Sequence, residues 1–145
     1  MALVGGGGAG NTAGSGGTAG IGQSLNYIGD HCHAESGPIA GADSEQTVLN
    51  FTTSSDYIVA TLTLTGPIRM TSANIGSGLI RGYQLNFNGQ TVGLYKVDPA
   101  QEDMPTVVEV HILIPAYTAV VLTCIDSADD SSFSGTANIT GRVYA

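Results

Sequence analysis

The residues best suited to chemistry lie together in one short segment, residues 30–35, with the sequence Asp-His-Cys-His-Ala-Glu. Side chains alternate between the two faces of an extended strand, so His31, His33 and Glu35 share one face. Cys32 lies on the other face. Imidazole nitrogens and carboxylate oxygens are zinc ligands, but three neighbouring ligands do not complete a tetrahedral site, and the remaining histidine lies on a different predicted strand. We expect a polar strand with a buried cysteine. The alternative is a small hydrolase or metal-dependent enzyme that uses His31, His33 and Glu35.

Motifs for nucleophilic catalysis are absent from the sequence. It contains no G-x-S-x-G elbow, no signature of a catalytic cysteine and no pair of carboxylates placed by a motif. The sequence therefore predicts a protein that is not an enzyme and that needs no cofactor.

Charge and hydropathy exclude further classes of function. The chain has 145 residues and a net charge of -8, with only four basic residues, which are spread singly along it. Affinity for phosphates comes mainly from lysine and arginine, so nucleic acid is not an expected partner. The sequence has no apolar run long enough for a membrane span and no secretory signal at its start, so we expect neither insertion into a membrane nor secretion. Without secretion, we expect Cys32 and Cys124 to be reduced, buried thiols.

The sequence divides into an arm, residues 1–22, and a domain, residues 23–145. Ten of the 21 glycines lie between residues 5 and 22, a stretch with almost no side chain to bury. Glycine loses much backbone freedom on ordering, so we expect the arm to become ordered only against other chains. The apolar residues in and beside it are the candidate anchoring contacts: Leu3, Val4, Ile21, Leu25 and Tyr27.

The domain is predicted to consist of β-strands. In residues 58–65, Ile58, Ala60, Leu62 and Leu64 share one face, and the other face carries three threonines, which is typical of a half-buried strand with an outward hydroxyl stripe. In residues 107–114, one face is predicted to be apolar and the other to carry Glu109 and His111; the apolar face consists of Val108, Val110, Ile112 and Ile114. Asn88-Gly89 between two alternating segments predicts a hairpin with a type I′ turn. One closing strand is predicted for residues 133–144.

About eight short strands, with no helix to connect parallel neighbours, predict an all-β fold. We expect the strands to form an antiparallel β-sandwich with the topology of a jelly roll. Because aromatic residues are few, the core is predicted to be mainly aliphatic, and association of the chain with itself would add buried surface.

Three segments together with the glycine-rich start carry a resemblance: residues 26–34, 112–118 and 136–144. The chain resembles the small decoration or cement proteins of tailed bacteriophages of aquatic bacteria. The resemblance implies a homotrimeric, jelly-roll-like β-sandwich without catalytic residues, made in the host cytoplasm. It also implies that the protein binds the major capsid protein on the outer surface of the virion head and stabilises the shell.

We accordingly expect a virion structural protein that attaches through its N-terminal region. The alternative is a receptor- or glycan-binding module of a phage fibre or tail. Exposed aromatic side chains clustered on loops, such as Tyr57, Tyr95 or Tyr117, would favour that alternative, since sugar rings stack on aromatic rings.

Overall fold

The computed structural model describes residues 25–40, 44–66, 68–69, 81–97, 107–126 and 133–145. The predicted arm lies outside these residues, and with it Leu3, Val4 and Ile21. Twelve strands and no helix lie in the described ranges. The strands are β1 (Asn26–Ile28), β2 (His31–Glu35), β3 (Ile39–Ala40), β4 (Gln46–Thr52), β5 (Tyr57–Thr65), β6 (Ile68–Arg69), β7 (Arg81–Phe87), β8 (Gln90–Val97), β9 (Val107–Ile114), β10 (Ala119–Asp126), β11 (Phe133–Gly135) and β12 (Ala137–Tyr144).

Two antiparallel sheets form a sandwich. One has the order β1-β2-β12-β5-β9 and the other the order β4-β10-β7-β8. Apart from the short β1, each sheet holds four strands, and the chain passes between the sheets in the pattern of two Greek keys. The predicted jelly roll is confirmed. No membrane-crossing helix is found in the described part of the chain.

The core lies between the sheets and is built by alternation. In β5, the side chains of Ile58, Ala60, Leu62 and Leu64 are buried, while the intervening threonines are only partly covered. The remaining buried side chains are also mainly aliphatic, as the composition predicts. Because side chains on one face of a strand repeat every second residue, burying these four fixes which residues β5 presents to solvent.

The predicted hairpin joins β7 to β8. Asn88 and Gly89 both have positive φ angles, 49° and 78°, as a type I′ turn requires. The Asn88 N–H donates to the Ala119 carbonyl at 2.8 Å, and the Asn88 side chain accepts from the Ala119 N–H at 2.8 Å. The turn is thus tied to the start of β10.

The closing strand predicted for residues 133–144 was wrong in one respect, because it is two strands in different sheets. β11 lies between β3 and β6 in a small third sheet, whereas β12 lies in the five-stranded sheet. The break falls at Thr136, whose N–H donates to the Thr65 hydroxyl at 2.6 Å, while the Thr65 N–H donates to the Thr136 carbonyl at 2.9 Å. These bonds replace the regular ladder at this position.

Beside the small sheet, the Arg81 side chain is fully buried. Its Nη1 and Nη2 atoms each lie 3.3 Å from the Ile39 carbonyl oxygen, to which they donate. Buried charged groups require such polar partners, so Arg81 links β7 to β3. This role explains why one of the few basic residues is absent from the surface.

Both cysteines are buried and neither forms a disulfide bond, as expected from the sequence. Cys32 faces the core from β2, and Cys124 does so from β10 in the other sheet. Each acts as a small apolar side chain.

Candidate functional site

The outer face of the five-stranded sheet carries a polar row that crosses all five strands. The register aligns Asn26, His33, Thr140, Thr61 and His111 in that order. His33 Nδ1 lies 3.3 Å from the Thr140 hydroxyl, and His111 Nδ1 lies 3.2 Å from the Thr61 hydroxyl. The threonines therefore orient both imidazoles, and one nitrogen of each ring is engaged within the row.

The candidate metal ligands lie on this face, on the side that the alternation predicts. His31 Nδ1 is 2.8 Å from Asp30 Oδ1, and His33 Nε2 is 3.4 Å from Glu35 Oε2. Each histidine thus has its own carboxylate neighbour. Within the described residues, no group of three histidine, cysteine or acidic side chains is arranged to hold a metal ion.

An ion pair lies next to the polar row. The Arg142 guanidinium binds the Asp30 carboxylate, which also contacts His31. The hydrogen bond from Arg142 is the main cause that lowers the pKa of Asp30 below its ordinary value of 3.8. The same bond raises the pKa of Arg142. The ion pair therefore links the turn between β1 and β2, which carries Asp30, to strand β12, which carries Arg142.

Beside this ion pair, four apolar side chains form a continuous exposed patch, which we call the apolar platform. It consists of Tyr57, Val59, Leu113 and Tyr144. Val59 and Leu113 are register partners, as are Tyr57 and Tyr144, and Tyr57 and Val59 share the outer face of β5. These side chains are between 40% and 58% exposed, and the two tyrosine rings stack. A contiguous exposed apolar patch is a feature of surfaces that bind other molecules.

The candidate anchoring residues within the described chain lie elsewhere. Leu25 is 2% exposed and belongs to the core, so its side chain packs within its own subunit. Tyr27 is half-buried and packs against the core, and this burial is the main cause that raises its pKa.

The outer face of the four-stranded sheet has a separate groove of about 320 Å³. Gly82 lies at its base between its register partners, Lys96 of β8 and Ile125 of β10. Leu94 and Thr123, the register partners of Gln84, continue the lining in the next row. The groove therefore combines apolar walls with an amide, a hydroxyl and an ammonium group. Glu45 also lines it.

The three aromatic residues singled out in the sequence lie at three different places and do not form one cluster on the loops. Tyr57 belongs to the apolar platform, while Tyr95 is half-buried and lines the groove. Tyr117 lies in the β9–β10 turn, has a φ of 53° and is 72% exposed. Its N–H donates to the Ser54 carbonyl at 2.8 Å, which places it at the end of the sandwich where β5 begins.

No family model matches the sequence, and a search of the curated proteins gave no match. Among solved structures, the chain is similar to a chain in the structure of the Gx strain of infectious bursal disease virus. The TM-score is 0.48 and the identity 13%, over 87% of this chain and 36% of that chain. It is also similar to the subviral particle of the same virus, with a TM-score of 0.46 and 11% identity over 77% of this chain and 32% of that chain. The chain thus spans about a third of the length of these viral chains.

A third similar structure is the CBM36-1 domain of a multidomain xylanase from the hindgut metagenome of Trinervitermes trinervoides. The TM-score is 0.38 and the identity 12%, over 91% of this chain and 89% of that domain. At these values the similarities do not assign a function, and the fold follows from the strand topology itself. A jelly-roll sandwich is compatible with a structural or a binding role.

The apolar platform was not among the sites predicted from the sequence. Its members come from three strands that are far apart in the chain, and only the sheet register brings them together. The alternation in β5 indicates that Val59 faces outward, but it does not identify the neighbours of Val59.

Proposed function

We propose that this protein is a virion structural protein, a decoration or cement subunit that binds the major capsid protein on the outer surface of a tailed-phage head. The observation that carries the proposal is the apolar platform on a rigid sheet face. A subunit of this kind acts by adhering to a shell, and it therefore needs a preformed contact surface.

The composition of the platform supports a protein partner. Interface cores are enriched in tyrosine, and a small number of packed aromatic and apolar side chains contribute most of the binding energy. The Asp30–Arg142 ion pair and the polar row border the platform, as a polar rim borders an interface core. Because Tyr57 and Tyr144 already stack on each other, little side-chain entropy is lost when a partner covers them.

The test is cosedimentation of the purified protein with tailed-phage heads that lack it. Val59→Lys places a charge at the centre of the platform, and we expect binding to weaken at least about tenfold. Leu94→Lys is the matched control, because Leu94 is an exposed apolar residue on the other sheet. Equal binding by both variants and the parent protein would remove the platform from the proposal.

We further propose that residues 1–22 make a second contact with the shell. Ordering a glycine-rich segment costs conformational entropy, which contacts along its length must offset. Deleting residues 2–22 is expected to lower occupancy on the heads. Unchanged occupancy would leave the platform as the attachment surface and exclude the arm.

The groove on the four-stranded sheet supports a second candidate function, binding of a glycan. Its hydroxyl, amide and charged groups offer hydrogen bonds to sugar hydroxyls, and Leu94 and Ile125 offer apolar surface. A glycan array distinguishes the two functions. A decoration protein gives no specific signal, whereas a glycan-binding module gives a signal that Leu94→Glu abolishes and Val59→Lys leaves intact.

A further inference from the structure

Strand β9 is an unusual edge of the five-stranded sheet. It pairs with β5 through eight consecutive residues without a bulge, and in the described part of the chain no strand pairs with its other side. The three other edges of the two main sheets differ from it. β1 has only three residues, and the pairings of β4 and β8 with their neighbours both contain a register shift.

Proteins usually protect an edge strand with proline, lysine, a bulge or a short length, because its free N–H and C=O groups pair readily with another chain. β9 has none of these features over Val107–Ile114. Three of its four inward side chains are also incompletely covered, since Val108, Val110 and Ile112 are only partly buried against the core. This edge is therefore suited to receive another strand.

The sequence of β9 is complementary to itself about Val110. When two copies run antiparallel with Val110 opposite Val110, each Glu109 lies opposite His111 of the other copy. On the same outer face, each Val107 lies opposite Leu113, so that exposed apolar side chains meet. On the inner face, each Val108 lies opposite Ile112.

We propose that β9 pairs with β9 of a second copy of this chain about a two-fold axis through Val110. The pairing joins the two five-stranded sheets into one sheet of ten strands. It is an isologous contact, which closes as a dimer, in place of the trimer expected from the resemblance. The inference goes beyond the proposed function and does not depend on it.

The polar side chains of the outer face determine this register. Directly opposite side chains in an antiparallel pair have Cβ atoms about 5 Å apart, within reach of a hydrogen bond between imidazole and carboxylate. Thr61 engages His111 Nδ1, which leaves Nε2 for the carboxylate of the second copy. Within one subunit the register partners of Glu109 and His111 are Thr63 and Thr61, so each of the two side chains lies opposite a hydroxyl-bearing residue.

A charge swap tests the pairing on the full-length protein by sedimentation velocity over a range of concentrations. We expect the parent protein to be a dimer. His111→Glu places two carboxylates opposite each other at both ends of the contact, and we expect the dissociation constant to rise about tenfold. The double variant E109K/H111E restores opposite charges at both positions and is expected to restore the dimer.

Val92→Glu is the matched control, because it adds the same charge to an exposed position of the β8 edge and should leave the dimer intact. Circular dichroism confirms that each variant is folded. Hydrogen exchange supplies an independent measurement, since amides of β9 should become protected as the protein concentration rises. A monomeric or trimeric parent protein, or a folded double variant that does not recover the dimer lost in H111E, would overturn the proposal.

Discussion

Tyr57 and Tyr144 stack with ring centroids 5.3 Å apart and ring planes inclined by 15°. The register of β5 and β12 places them directly opposite each other, one pair before Ile58 and Val143 turn inward to the core. The core therefore fixes the backbone beneath the rings, and each ring limits the rotamers of the other. This pair makes the apolar platform a preformed surface.

Replacing Tyr144 by alanine removes this ring contact. We expect the free energy of unfolding to fall by about 1 kcal/mol, because stacked aromatic pairs contribute on this order beyond their buried area. Urea denaturation followed by circular dichroism measures the change. Leu94→Ala is the control, since Leu94 is 73% exposed, and its stability should match that of the parent protein. Equal stability of the two variants would contradict the stacking argument.

The Asp30–Arg142 pair makes stability depend on pH in the acidic range. The pKa of Asp30 is lowered in the folded state, mainly by its hydrogen bond to Arg142, from an ordinary value of 3.8. The stabilisation is thus present above pH 3.8 and is lost as the pH falls through the lower, folded pKa. Both groups are at the surface, so we expect a small effect that salt weakens.

NMR titration of the Asp30 carboxyl group tests this assignment. In Arg142→Gln the pKa of Asp30 should rise towards its ordinary value, and Lys96→Gln, which removes a cation from the other sheet, should leave it unchanged. An Asp30 pKa that is the same in Arg142→Gln and in the parent protein would exclude the ion pair as the cause.

The elements predicted correctly from the sequence are those fixed by local patterns. Alternation is sufficient to place the buried and exposed faces of β5, and Asn88-Gly89 is sufficient to place the hairpin turn. The break at Thr136 depends on hydrogen bonds to Thr65, a residue distant in sequence. A local pattern contains no such information, and for the same reason it did not reveal the pairing of Tyr57 with Tyr144.

Gly141 occupies a position in β12 that has no room for a side chain. A Cβ atom there would lie 2.5 Å from the Val59 carbonyl oxygen and 2.7 Å from the Ala60 Cα atom. Both are backbone atoms of the paired strand β5, so relief requires the strands to separate. We expect Gly141→Ala to lower the free energy of unfolding by about 2 kcal/mol.

Gly82 is the matched control, because it also lies within a central strand. A Cβ atom at Gly82 meets nothing closer than Ile125 Cγ2 at 3.7 Å, an ordinary contact. Gly82→Ala should be neutral or slightly stabilising, since it restricts the unfolded chain. Thermal unfolding of both variants provides the comparison, and a Gly141→Ala variant as stable as Gly82→Ala would show that the sheet adjusts freely at this point.

The buried thiol of Cys32 makes stability depend on pH in the alkaline range. Burial raises its pKa from 9.0 to about 11, although a hydrogen bond from the Gly141 backbone partly opposes the shift. The folded state therefore keeps a proton that the unfolded state loses above pH 9.0. The contribution to stability is fully present below pH 9.0 and disappears as the pH rises through about 11.

Urea denaturation at pH 8 and at pH 10.5 measures this loss, with Cys32→Ala as the comparison. The variant lacks the Cys32 thiol, but it retains Cys124 as well as Tyr27 and Tyr95, and burial also raises the pKa values of these two tyrosines. Its stability should therefore fall less between the two pH values than that of the parent protein. Native Cys32 should also resist alkylation at pH 8, because both access to the thiol and its thiolate fraction are low. Rapid alkylation of Cys32 in the folded protein, or an equal loss of stability in parent and variant, would contradict the buried, protonated thiol.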